Sequence, residues 1–320
     1  MKDTFDAKDH ALVDLLRVDA RAPFAQLGAG VGLSADAVRV RIHRLLEAGT
    51  IKFATLIDPA VFGLTLRVNI GVEVLGPPDE FARWALEQDE ILHLVRVLGP
   101  FTFFGEVVAS SPEEAHSFIS GALGGRLEVR RVECWPILGF EKWREDTHVF
   151  LPDDYSSDGT SALQEHEIDM LRELVVSPRI PVRDLAASVG RPYGVVRRRL
   201  ADLFQAGVAK ATVVTNEIEL ERRQPAVLLA RAQDASALDA LRNHKAVTIV
   251  SPTAGTRRII AEVVADSMSH LRVITDELAS AAPSLANVEL LPYASVDKLP
   301  ASLSIGHYLS RRSFPLPTSS

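Results

Sequence analysis

Apolar residues near the start of the chain recur at helical spacing. Leu12, Val13, Leu15 and Leu16 share one side of a segment from Ala7 to Val18. Pro23 suits a first helical turn, and Phe24, Leu27 and Val31 continue the spacing. Ser34 is a good N-cap for a third helix reaching about Ala48, with Val38, Ile42, Leu45 and Leu46 inward and Gly49 as its stop. After Gly49 the period shortens. Ile51–Ile57 reads as a strand or wing ended by Asp58-Pro59, and Arg67–Val74 alternates as a strand. A helix over Asp79–Gln88, strands over Ile91–Val97 and Phe101–Ala109, a helix over Pro112–Leu123 and a strand over Arg126–Leu138 complete this half.

The pattern then returns. Arg21, Pro23, Leu27, Arg41, Leu45, Ala48, Gly49 and Lys52 fall on Arg179, Pro181, Leu185, Arg199, Leu203, Ala206, Gly207 and Lys210, an offset of about 158. Further on the offset is 156, and Gly99, Glu106, Val107, Val108, Val132, Glu133 and Pro136 fall on Gly255, Glu262, Val263, Val264, Val288, Glu289 and Pro292. Such a period marks a repeated unit of about half the chain. Helices are expected over Glu165–Val176, Val182–Val189, Tyr193–Ala206, Ser236–Asn243 and Met268–Ala281. Strands are expected over Ala226–Ala232, Val247–Ser251, Arg257–Ala265 and Asn287–Pro292.

Each half thus opens with three short helices, the last one basic, which is a helix-turn-helix pattern. Each continues as β-α-β-β-α-β, a ferredoxin-like unit. Such a unit has one bare sheet face to bury, and packing the two sheets face to face within the chain does so. Phe101, Phe103, Trp135 and Ile137, with Ile260 and Leu291, are the candidate buried or interface residues.

Composition is ordinary for a globular chain: 320 residues, 47% hydrophobic, 24% charged. One cysteine, Cys134, leaves no disulfide framework and fits a cytoplasmic protein. The charged N-terminus resembles no signal peptide, and no apolar run is long enough to span a membrane. The formal charge of −7 argues against a uniformly basic surface, so distribution matters more than the sum. Arg39, Arg41, Arg44 and Lys52 cluster on and just after the third helix. Arg197, Arg198, Arg199 and Lys210 cluster at the matching place in the second half.

The spacing gives these residues distinct roles. With Val38, Ile42 and Leu45 inward, Ala35, Arg39 and His43 point out. A helix entering the major groove reads bases from this part of its surface, and Arg39 suits guanine O6 and N7. Arg41 and Arg44 sit on the flank, as phosphate contacts. Tyr193 replaces Ala35 and Arg197 replaces Arg39 in the second half, so the two helices are expected to read unlike half-sites of an imperfect palindrome.

Enzyme signatures are weak. Gly28-Ala29-Gly30-Val31-Gly32 follows a helix, not the strand that a nucleotide loop needs. The nine histidines form no zinc-type pair, no Gly-x-Ser-x-Gly occurs, and the lone cysteine has no nucleophile context. No catalytic residue, metal site or cofactor is assigned.

The chain resembles the Lrp/AsnC family of transcription regulators. The resemblance rests on Ser34-x-x-x-Val38-x-x-Arg41-Ile42-x-Arg44-Leu45, Gly49-x-Ile51, Asp58-Pro59 and Phe62-Gly63-Leu64, and extends over both halves. It implies an α+β protein with two copies of a winged helix-turn-helix domain followed by a ferredoxin-like βαββαβ (RAM-type) domain. The implied segments are 1–62, a DNA-binding domain; 63–150, an effector and oligomerisation domain; and 151–162, a linker. A second helix-turn-helix domain over 163–218, a second effector domain over 219–299 and a flexible tail over 300–320 follow. The implied DNA-binding residues are Ser34, Ala35, Arg39, Arg41, His43, Arg44 and Lys52, with Tyr193, Arg197, Arg198, Arg199 and Lys210. An amino-acid-like effector is implied near Gly99, Phe101 and Thr102 and near Gly255, Thr256, Arg257 and Arg258. The partners implied are double-stranded DNA, that effector and further copies of the chain, which itself forms an intrachain pseudo-dimer.

The departures are specific. Pro192 stands where Ser34 would be and Asp202 where Arg44 would be. The acid of the family's Gly-x-x-Asp effector loop is absent from Gly99–Thr102 and Gly255–Arg258. Siroheme decarboxylases resemble the same architecture, but their Arg-Arg-x-Gly segment is not matched by Ile51-Lys52-Phe53-Ala54 or Ala209-Lys210-Ala211-Thr212. An oligomeric scaffold without DNA binding is the third reading.

Overall fold

The computed structural model describes residues 5–143, 163–215, 223–231 and 234–298. The expected linker at 151–162 and tail at 300–320 lie outside these. In chain order the first half runs α1 (Ala7–Val18), α2 (Phe24–Val31), α3 (Ala35–Glu47), β1 (Ile51–Ile57), β2 (Leu66–Val74), α4 (Pro78–Leu86), β3 (Ile91–Val97), β4 (Phe103–Ala109), α5 (Pro112–His116), β5 (Val129–Pro136) and β6 (Lys142–Trp143). The second runs α6 (Glu165–Val176), α7 (Val182–Ser188), α8 (Tyr193–Gln205), β7 (Ala209–Thr215), β8 (Gln224–Ala230), α9 (Ala235–Asn243), β9 (Val247–Pro252), β10 (Ile259–Ala265), α10 (Met268–Ala281) and β11 (Glu289–Lys298). The chain folds into two compact units, each taking a piece from either half. One gathers the described residues of 1–62 and 145–216, the other those of 63–144 and 217–302.

The first unit is helical around a thin ribbon. Leu12, Val13 and Leu16 of α1 bury against Leu27, Val38, Ile42, Leu45 and Ile51. Ala211 and Val213 of β7 enter that same core, so the second half completes the first. β1 and β7 pair antiparallel along their whole length, from Ile51 opposite Thr215 to Ile57 opposite Ala209. The glycine-rich stretch of α2 serves packing. A Cβ on Gly28 would lie 2.4 Å from the Leu33 carbonyl oxygen, and one on Gly30 would lie 2.8 Å from Leu15 Cδ1.

The second unit holds a nine-stranded sheet in the order β5-β2-β4-β3-β11-β8-β10-β9-β6. Within it the order β5-β2-β4-β3 matches β11-β8-β10-β9, both ferredoxin-like. The halves join by exchanging terminal strands. Glu289–Pro292 of β11 pair with β8, and Tyr293–Lys298 continue onto β3. β5 likewise pairs with β2, Ile137 then bridges to Thr253, and β6 pairs with β9.

Three apolar cores result. One lies between the first sheet half and its helices, around Ile70, Phe81 and Phe103. A second surrounds Leu228, Leu271 and Ile274. The third is shared, with Val95, Phe101, Phe104 and Trp135 meeting Val227, Leu229, Ile260 and Leu291. Phe101, Trp135, Ile260 and Leu291 therefore do lie where the halves meet. Phe103 turns to the helix side against Phe81, at 4.9 Å between ring centroids, and Ile137 is only half-buried. Among the described residues no helix is long and apolar enough to cross a membrane.

Candidate nucleic-acid interface

α3 forms because Ser34 caps it and Val38, Ile42 and Leu45 give it one buried side. Ser34 Oγ accepts from the Ala37 N–H at 3.2 Å. Gly49, at φ 67°, ends it in a left-handed turn. Ala35, Asp36, Arg39, Val40, His43 and Glu47 are exposed. Arg39 pairs with Asp36 at 3.2 Å and His43 with Glu47 at 3.5 Å, all on the outer surface. Beside them Phe24, Val40, Ile42, Leu46 and Phe53 line an open groove of about 480 Å³, with Arg39 and His43 at its edge.

The flanking arginines have internal partners. Asp9 is fully buried and receives Arg41 at 2.8 Å and Arg44 at 2.5 Å. Arg41 also reaches Asp6 at 2.8 Å. Asp6 and Asp9 form a reciprocal capping box on α1, so the same two carboxylates start α1 and hold α3. The Asp6 and Asp9 carboxylates hold the Arg41 pKa above its ordinary value. The Asp9 backbone N–H, followed by Arg41, lowers that of Asp6. Any phosphate contact by Arg41 or Arg44 has to compete with these pairs, which anchor α3 to α1.

The second head repeats this with different chemistry. Val196, Leu200 and Leu203 bury one side of α8, and Pro192 takes the N-cap without a side-chain bond. Arg199 pairs with Glu167, which is fully buried and closes the capping box of α6. Arg191 and Arg199 lie near enough to His166 to add to the lowering of its pKa by burial. Tyr193, Arg197 and Arg198 are exposed. On the ribbon Lys52 is exposed on β1 and Lys210 is half-buried on β7.

The two heads hold each other. Arg21 donates to the carbonyls of Pro178 and Ile180, both at 2.7 Å. Arg179 donates to those of Ala20 at 2.6 Å and Ala22 at 3.1 Å. The Arg179 guanidinium also lies over the rings of Phe24 and Phe53. Burial lowers the pKa of both arginines.

The expected effector loops are largely committed to the fold. Phe101 is only 3% exposed and meets Trp135 edge-on at 5.8 Å, so it packs into the shared core. Thr102 Oγ accepts from the Val74 N–H at 3.0 Å. Gly99 has φ 139°, and a Cβ there would lie 2.9 Å from Leu291 Cδ2. Gly255 has φ 114° and Thr256 is exposed. Arg257 pairs with Glu289, leaving Arg258 as the exposed member of the pair. Among the described residues no cluster of three His, Cys, Asp or Glu suits a metal.

Comparison with known proteins agrees with this geometry. Residues 5–46 match the AsnC-type helix-turn-helix domain. The HTH-type transcriptional regulator Rv2324 of Mycobacterium tuberculosis is 33% identical over 100 residues, 30% of this chain and 68% of that protein. The chain belongs to the Lrp/AsnC family of transcriptional regulators. An uncharacterized HTH-type transcriptional regulator of Haemophilus influenzae is 26% identical over 144 residues, 43% of this chain and 86% of its own. The match to the AsnC-type domain spans α1 to α3 of the first head, including Ser34, Arg39 and His43. By fold, 95% of the chain is similar to 99% of the siroheme decarboxylase NirDL, with a TM-score of 0.59 and 13% identity. Identity that low speaks of fold alone.

Several residues that build this surface carry little local signal of their role. Arg21 and Arg179 are visible in the sequence as a matched pair, yet nothing local shows that each grips the other half. Asp9 and Glu167 are equally matched, three residues after a helix-start residue, which is the one sequence signal for their capping role.

Proposed function

We propose that this Lrp/AsnC family member is a sequence-specific DNA-binding regulator in which one chain supplies both reading heads. The observation that carries this is the pairing of two helix-turn-helix heads in one compact unit, tied by the β1–β7 ribbon. Two subunits fused head to tail account for the repeat, and the chain is its own pseudo-dimer. α3 reads through Ala35, Arg39 and His43, and α8 through Tyr193 and Arg197. The unlike faces call for an imperfect palindrome. The protein works in the cytoplasm, has no enzymatic activity and assembles further as a homo-oligomer. An amino-acid-like effector acts on the second unit, near Gly255, Thr256 and the exposed Arg258.

Selection of bound genomic fragments tests the reading. The account expects two half-sites of different sequence at fixed spacing. Arg39→Ala should relax one base position, costing about 1–3 kcal/mol. Sites with perfect two-fold symmetry would contradict it. Titration calorimetry with common amino acids and 2-oxo acids tests the effector, and no heat from any of them would remove it.

A second reading is favoured by one observation, the whole-length fold similarity to NirDL. On that reading the chain is a siroheme decarboxylase-like enzyme. The stretches Ile51–Ala54 and Ala209–Thr212 count against it, since they lie in the paired ribbon strands and lack the Arg-Arg-x-Gly segment. A Soret shift on mixing the protein with siroheme would favour the enzyme.

A further inference from the structure

We infer that the second head supplies most of the attraction for the DNA phosphates, and that the first docks with little net charge. This rests on the DNA-binding reading above and assigns unequal work to its two halves.

The outward positions of the two recognition helices differ in charge. On α3, exposed Arg39 is matched by Asp36, and His43 by Glu47. The corresponding residues on α8 are Gly194 for Asp36, Arg197 for Arg39, Ala201 for His43 and Gln205 for Glu47. Exposed Val40 on α3 becomes exposed Arg198 on α8. At these matched positions α3 carries one permanent cation against two acids, and α8 two cations and no acid; the exposed acid of α8, Asp202, lies on the flank beside Arg199.

Position along the helix sharpens the contrast. Asp36 lies in the first turn of α3, where its carboxylate offsets the positive helix end and repels an approaching phosphate. The first turn of α8 has no acid, and Gly194 opens onto free space. In place of charge the first head offers the apolar groove beside Val40, which suits close van der Waals contact. The flanks narrow the difference without reversing it: Asp9 holds Arg41 and Arg44 in the first head, and Glu167 and Asp202 hold the single Arg199 in the second.

The test is the salt dependence of binding of the full chain to a selected fragment. Each phosphate contact contributes about 0.9 to the slope of log affinity against log salt. Arg198→Ala, which removes the cation standing where α3 has Val40, should lower the slope by about 0.9, so that the affinity lost is roughly threefold greater at 50 mM than at 200 mM salt. Arg39→Ala should lower the slope by less than about half as much. Asp36→Asn with Glu47→Gln should strengthen binding about two- to tenfold, a gain that a damaged fold cannot imitate. The inference is overturned if Arg39→Ala costs as much slope as Arg198→Ala, or if removing the two acids leaves affinity unchanged. No binding by the unaltered chain at low salt would instead sink the DNA-binding reading itself.

Discussion

Arg21 and Arg179 each grip the main chain on both sides of the other. Arg21 holds the carbonyls of Pro178 and Ile180, and Arg179 those of Ala20 and Ala22. Two guanidiniums sit close together, half-buried, with main-chain acceptors and aromatic rings around them. Arg179→Met is expected to destabilise the first unit by about 2–4 kcal/mol, because it frees two buried carbonyls from charge-assisted bonds. Arg179→Lys should recover little, since an ammonium cannot span both acceptors. Chemical denaturation of the full chain measures both. Equal stability of Lys and Arg variants would remove the geometric part of the argument.

Asp9 joins α1 to the recognition helix. Asp9→Asn should cost about 3–5 kcal/mol, as it strips Arg41 and Arg44 of a buried partner. Arg41→Ala should lower thermal stability more clearly than it lowers DNA affinity at a temperature where both proteins are folded. An affinity loss with unchanged stability would return Arg41 to the phosphate-contacting role expected from sequence.

Lys298 gives the second unit a pH dependence. Its Nζ donates to the Gln88 carbonyl at 2.5 Å and to those of Leu86 and Ala85 at 3.3 and 3.4 Å, at the end of α4. Burial pushes its pKa down to about 8, partly offset by Asp89 and Glu90. The folded value thus lies below the unfolded value of about 10.4. The penalty for carrying the proton is fully present below pH 8 and disappears as pH rises towards about 10.4. Relative to Lys298→Met, the unaltered chain should therefore gain stability over that window, by at most about 3 kcal/mol. A constant difference between the two proteins across it would refute the linkage.

Phe101 belongs to the core that both halves build. Phe101→Ala should cost about 3–5 kcal/mol through the cavity left against Trp135. Any effector affinity that survives partial unfolding controls should be unchanged. A large affinity loss in a variant of near-native stability would restore Phe101 to a binding site.

The helices of both heads are legible in the sequence because Val38, Ile42 and Leu45, and Val196, Leu200 and Leu203, mark one buried side each. β7 is not. Its buried residues Ala209, Ala211 and Val213 are mostly small, and Ala211 and Val213 enter the core that α1 builds. The strand exchange of β6 and β11 is equally silent, since pairing partners across the halves leave no local period. Arg41 and Arg44 look like surface cations from spacing alone. Only the arrival of Asp9 from α1 turns them inward. Arg39, His43, Arg197 and Arg198 keep the outward placement that spacing indicates, because nothing in the described fold packs over them.

One chain is expected to bind duplex DNA through two unlike heads. Fluorescence anisotropy of the purified full chain with selected genomic duplexes across a salt series tests it most directly. The account expects tight binding at low salt, a steep linear fall of log affinity with log salt, and a stoichiometry of one pair of half-sites per chain. No affinity for any duplex at low ionic strength would contradict it.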